Sequence, residues 1–112
     1  MTLTKTHPAP ADLGPVERIP MGEGRIFFVG RIAVAVYRTR SGEIFATQAS
    51  CPHKGGPLAD GLVGDGLVIC PLHAYRFDLA TGRAAGNACA PLRTHAVSVR
   101  DGRIQLRLDA TA

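Results

Sequence analysis

An all-β domain is expected from three features of this 112-residue chain. Thirteen glycines and eight prolines divide it into short segments, as many tight turns require. Where apolar residues are patterned, the period is two, the spacing of a strand with one buried face. Aromatic residues are scarce, with no Trp, two Tyr and four Phe, so the core must be built from Val, Ile, Leu and Ala. The length suits one domain with a real but small core.

Residues Met1 to Asp12 are rich in Thr, Pro and Ala and read as a flexible N-terminal arm, with the domain running from 13 to 112. A first short strand is expected around Val16 to Ile19. Gly22-Glu23-Gly24 reads as a turn into Arg25 to Val29, and Arg31 to Arg38 follows. In that second run Ile32, Val34 and Val36 share one face, and Ala33, Ala35 and Tyr37 the other. Arg40-Ser41-Gly42-Glu43 turns the chain into Ile44 to Thr47. Leu62-Val63, Gly64-Asp65-Gly66 and Leu67 to Ile69 form a hairpin that ends on Cys70. Tyr75 to Leu79 is a short strand stopped by Thr81-Gly82, and Arg83 to Arg93 is irregular. His95 to Arg100 and Arg103 to Leu108 alternate about Asp101-Gly102, a type I′ turn signal. Ile104, Leu106 and Leu108 face inward, leaving Arg103, Gln105 and Arg107 on the wet side of an edge hairpin. No helix beyond a turn or two, no repeat and no second domain are expected.

The formal charge of +4 is spread along the chain. No basic block with interleaved aromatics marks a nucleic-acid surface. The longest apolar region, Ile26 to Tyr37, is broken by Gly30 and Arg31 and falls short of a membrane span. The N-terminus lacks the apolar core of a signal peptide, and three cysteines make no disulfide framework. A cytoplasmic protein with no nucleic-acid or membrane partner is expected.

The chemistry lies between Cys51 and His73. Cys51-Pro52-His53 and Cys70-Pro71-Leu72-His73 are separated by sixteen residues, with Gly55, Gly56 and Pro57 crowding the first pair. Structural zinc sites usually pair Cys with Cys and His with His at each knuckle. Here each loop supplies one thiolate and one imidazole, which suits a two-iron cluster with both thiolates on one iron and both imidazoles on the other. His7, His95 and Cys89 carry no evident function, and Asp60 and Asp78 sit beside turn residues. Lys54 adjoins a candidate ligand as an ordinary loop lysine.

On these residues the chain resembles the Rieske ferredoxin family over about residues 13 to 108. The resemblance implies one [2Fe–2S] cluster held by Cys51, His53, Cys70 and His73, at one tip of a small antiparallel β domain. It implies that Gly55 and Gly56 admit backbone N–H groups close to the bridging sulfides. Rieske proteins of quinol-oxidising complexes carry a disulfide across the site; Gly56 and Leu72 stand at those positions here, so that bond cannot form. Tyr75 and Phe77 stand where those proteins use a Ser and a Tyr hydroxyl to hydrogen-bond the sulfurs, and Phe77 has no donor. Such bonds favour the more negative reduced cluster, so their loss implies a low-potential centre, toward about −150 mV.

The family holds two soluble low-potential groups. The ligand loops, with Phe77-Asp78-Leu79-Ala80-Thr81-Gly82, are most similar to the small subunit of NAD(P)H-dependent nitrite reductase, although Ala74-Tyr75 replaces the Asn-Trp common there. The segment Ala88-Cys89-Ala90-Pro91-Leu92 is similar to the ferredoxin component of ring-hydroxylating dioxygenases, the alternative; a structural zinc module is the remote one. Either redox reading implies one-electron transfer without catalysis by the chain alone. The donor is a flavin-containing reductase or large subunit, and the acceptor a siroheme nitrite reductase subunit or an oxygenase.

Overall fold

A computed structural model describes residues 10–52, 55–72, 74–86 and 89–108. Among these described residues ten strands follow in order: β1 (Ala11–Pro15), β2 (Glu23–Val29), β3 (Ile32–Arg38), β4 (Ile44–Gln48), β5 (Leu62–Gly64), β6 (Leu67–Ile69), β7 (Arg76–Asp78), β8 (Ala84–Ala85), β9 (Thr94–Arg100) and β10 (Arg103–Arg107). They pair antiparallel in two sheets, a six-stranded one ordered β1-β10-β9-β4-β3-β2 and a four-stranded one ordered β5-β6-β7-β8. Among the described residues the helical segments are two three-residue 3₁₀ turns, Val16–Arg18 and Leu58–Asp60. None is long and apolar enough to cross a membrane. The all-β expectation holds.

Strand β3 explains the arrangement. Val34, Ala35, Val36 and Tyr37 are all buried, so both faces of the strand are covered. Val34 and Val36 join Leu13, Ile19, Phe27, Ala46, Ile104 and Leu106 in one apolar cluster. Leu13 on β1 and Phe27 on β2 come from opposite edges of the six-stranded sheet, so that sheet curls around this cluster. Ala35 and Tyr37 point the other way, into a second cluster with Leu58, Val63, Val68, Phe77, Leu79, Leu92, Cys51 and Cys70. The four-stranded sheet covers this second face. The Tyr37 ring fits because Gly24 lies opposite it; a Cβ there would stand 2.9 Å from the ring. Its buried hydroxyl shares a 2.8 Å hydrogen bond with Thr47 Oγ1, and burial raises its pKa well above the ordinary tyrosine value.

Two Asp-Gly hairpins form as their sequences require. Asp65 and Gly66 (φ 52° and 74°), and Asp101 and Gly102 (φ 52° and 75°), are all left-handed, the backbone of type I′ turns. Ile104 and Leu106 face the core and Leu108 is half-buried against it.

Several boundaries differ from the sequence expectation. The first strand is Ala11–Pro15, so Ala11 and Asp12 belong to the sheet rather than to the arm; positions 1–9, with His7, lie outside the described residues. Val16–Arg18, expected as a strand, is a 3₁₀ turn that starts directly after Pro15. As an edge strand with a bulge between Asp12 and Gly14, β1 buries few side chains, so its sequence lacks strong alternation. Its presence makes β10 an interior strand, and Arg103 pairs with Asp12 at 2.9 Å. Glu23 and Gly24 extend β2 rather than forming a turn, and the irregular stretch contains the two-residue β8.

The two clusters should separate stability from site integrity. Leu106→Ala and Leu58→Ala should each cost about 2–5 kcal/mol in chemical denaturation, as buried leucines do. Only Leu58→Ala, in the cluster shared with Cys51 and Cys70, should also speed the reaction of the buried cysteines with a thiol reagent. Equal reactivity in the two variants would contradict the division.

Candidate metal centre

Each of the two cysteine loops is the end of a hairpin-like ladder. In the first, β4 runs on into a narrow loop in which Leu58 N–H bonds Ala49 O at 3.1 Å, Ser50 bridges Pro57, and Cys51 N–H bonds Gly56 O at 2.8 Å. Gly55 N–H closes back on Cys51 O at 2.8 Å. Gly55 has φ 72°, which side chains with a Cβ rarely adopt, so glycine permits this tight return. The second loop extends the β6–β7 ladder, with Cys70 N–H on Tyr75 O at 2.7 Å. Ala74 carries the left-handed step there, with φ 56°.

Cys51 and Cys70, 3% and 1% exposed, lie in one apolar cluster although they belong to different loops. The loops meet at Gly56. A Cβ on that residue would stand 2.7 Å from Cys70 Sγ and 3.2 Å from the Leu72 side chain, so only glycine lets the first loop's backbone lie this close. The positions of Gly56 and Leu72 do face one another, as a bridging disulfide would need, but neither residue has a thiol. Burial pushes the Cys70 thiol up, and the neighbouring Cys51 and Cys89 sulfurs add to this, against a hydrogen bond from the Leu72 backbone N–H.

His53 and His73 lie outside the described residues, as does Lys54. They flank the structured cysteines at separations of two and three residues. Two adjacent buried sulfurs, a glycine cradle that a Cβ would fill, and one imidazole sequence position beside each sulfur fit the mixed donor set of a two-iron centre.

A family model for the Rieske [2Fe-2S] domain matches residues 10–96. This chain belongs to that family. It is a Rieske [2Fe-2S] domain of the ferredoxin kind. The anthranilate 1,2-dioxygenase ferredoxin subunit of Burkholderia cepacia is 32% identical over 111 residues, covering 96% of this chain and 95% of that protein. The ferredoxin of carbazole 1,9a-dioxygenase from Nocardioides aromaticivorans IC177 superposes with a TM-score of 0.82 at 26% identity, over 91% of this chain and 100% of that one. A structure described as an NADH-dependent nitrite reductase small subunit from Mycobacterium tuberculosis superposes with a TM-score of 0.83 over 90% of this chain and 96% of that one. Its identity is 22%, a likeness of fold alone. Identity above 30% over most of the chain is found with dioxygenase ferredoxins.

The other singled-out residues are placed as follows. Phe77 is fully buried and Tyr75 half-buried beside the cysteine cluster. Asp78 accepts the N–H groups of Ala80 and Thr81 at 2.9 and 3.0 Å, the turn role expected of it. Asp60 ends a 3₁₀ turn, and His95 is buried on β9 opposite Ala46. Cys89, expected as a buried or idle thiol, packs half-buried against the cluster that holds Cys51 and Cys70. Its separation of nineteen positions from Cys70 gave no spacing signal, because the contact depends on the return of the chain after β8.

Two outcomes test this geometry. Gly56→Ala should lower the iron and sulfide bound per chain severalfold while far-ultraviolet circular dichroism stays unchanged; full loading would contradict the cradle. Redox titration should give a midpoint toward about −150 mV, and a value above roughly +100 mV would show that the hydroxyl missing at Phe77 does not set the potential.

Proposed function

We propose that the chain is the ferredoxin component of a ring-hydroxylating dioxygenase system, a single domain that carries one electron at a time from a flavin-containing reductase to an oxygenase. The observation that supports this reading most is the 32% identity to the anthranilate 1,2-dioxygenase ferredoxin subunit, which runs almost the full length of both chains. Nitrite reductase, favoured by the loop sequences, has support at the level of fold only.

In this proposal Cys51 and Cys70 hold one iron and His53 and His73 the other. The bound cluster supplies a one-electron couple within the protein. The residues of the chain do the rest. The apolar surroundings of the two cysteines, with Leu58, Phe77 and Leu92, exclude water from the sulfur side. The paired hairpin ends fix the separation of the two thiolates, so little rearranges when the charge changes. Pro52, Pro71 and Leu72 are exposed beside the cysteines and give a partner a firm, weakly polar surface close to the histidine positions. On this reading the chain only passes electrons, so turnover requires the partners.

Mixing experiments test the assignment. The photoreduced protein should pass its electron rapidly to the terminal oxygenase of an aromatic-ring dioxygenase, and slowly or not at all to a siroheme nitrite reductase subunit. The reverse preference would return the assignment to nitrite reduction. Replacing any one of Cys51, His53, Cys70 or His73 by Ala should abolish the visible spectrum of the cluster, whereas Cys89→Ala should retain it. Loss of the cluster in Cys89→Ala, or its full retention in a single ligand variant, would remove the proposed ligand set.

A further inference from the structure

Gln48 closes β4, one residue before the cysteine ladder begins, and both ends of its side-chain amide are engaged. Nε2 donates to Ser50 O at 2.7 Å, and Oε1 accepts from the backbone N–H of Arg93 at 2.7 Å. The Gln48 backbone N–H also bonds Arg93 O at 2.8 Å. These partners fix which way the amide points, since a reversed amide would set donor against donor and acceptor against acceptor. The Gln48 backbone carbonyl accepts from Thr47 Oγ1 at 2.8 Å, and that hydroxyl meets the buried Tyr37 hydroxyl.

The Ser50 carbonyl belongs to the same planar peptide as the Cys51 N–H. That plane is therefore held at both ends: its oxygen by Gln48 Nε2 and its N–H by Gly56 O. With the plane fixed, the approach of the chain to Cys51 is fixed, and with it the direction in which the sulfur leaves the backbone. Gly56 is in turn the residue pressed against Cys70 Sγ. A hydrogen-bonded path thus joins Arg93, Gln48, the Ser50–Cys51 peptide and Gly56, whose backbone lies close against the second cysteine.

We infer that Gln48 is a positioning residue for the cluster, aiming the Cys51 thiolate by clamping the preceding peptide and tying it to the strand that starts at Thr94. Ser50 and Arg93 are exposed. Water can replace the lost hydrogen bonds in strength but not in direction. Removing the clamp should therefore disturb the cluster more than the fold. The inference rests on the cluster being held at Cys51 and Cys70.

Two variants of the loaded protein test it. Gln48→Leu removes both bonds. Gln48→Glu keeps an acceptor for Arg93 N–H but sets a carboxylate against the Ser50 carbonyl. Both lose the bond to the Ser50 carbonyl, so both should shift the g-values of the reduced protein and bleach about fivefold faster than the parent, the scale of that one hydrogen bond. Thermal unfolding of the sheets should change little. Hydrogen exchange should show faster exchange at Cys51 in both variants, but at Arg93 in Gln48→Leu only. A Gln48→Glu protein with the parent's g-values and cluster lifetime would overturn the proposal, leaving Gln48 a structural staple between β4 and β9. Should Gln48→Leu fail to fold, Gln48→Glu decides alone. A parent protein without a Rieske spectrum would fail the cluster reading itself, while Cys51 exchange would still report whether the clamp exists.

Discussion

The approach of the Gly56 backbone to Cys70 Sγ is the constraint on which the rest of the structure depends. Two loops from different sheets must deliver their sulfurs to one place, and the gap between them is too small for a Cβ. Holding that contact requires both loops to be rigid. The described residues of each are tied in the same way, by ladder bonds between Ala49 and Leu58 in one case and Cys70 and Tyr75 in the other. The ladder bonds satisfy the backbone polar groups near a buried apolar site, where an unpaired group would cost about 1–3 kcal/mol.

The two apolar clusters divide the remaining work. One fills the curl of the six-stranded sheet and includes no cysteine. The other lies between the sheets and includes Cys51 and Cys70, with Cys89 packed against it. β3 joins the two because both of its faces are buried, and Tyr37 links its second face through Thr47 to the strand that leads into the first loop. The site is an extension of the inter-sheet core. Its low-dielectric surroundings also raise the Cys70 thiol, so a metal bound there would displace a proton that burial favours.

Most of the fold could be read from the sequence where one face of a strand is wet and the other buried. The hairpin about Asp101-Gly102 is the clearest instance, because alternation and turn chemistry agree. β3 also alternates, but its pattern marks two different cores rather than an inside and an outside. β1 escaped notice because an edge strand has a weak demand for burial, and Leu13 alone could not outline it. The meeting of Cys51 and Cys70 in one cluster was legible, because the spacing of Cys and His is a chemical pattern independent of packing. Cys89 and Gln48 were not, since each reaches the site through the return of β9 beside β4, a non-local pairing that no sequence spacing records. The ligand loops alone leaned toward the nitrite reductase subunit, whereas the identity to a dioxygenase ferredoxin runs over nearly the whole chain.

The central claim is that two thiolates and two imidazoles, one of each from each loop, hold a two-iron centre. Electron–nuclear double resonance on the reduced protein, grown with ¹⁵N-labelled histidine, tests it most directly. Two distinct strong ¹⁵N couplings are expected, with one lost in His53→Cys and the other in His73→Cys. No strong nitrogen coupling in the parent protein, or two couplings that survive both substitutions, would contradict the account.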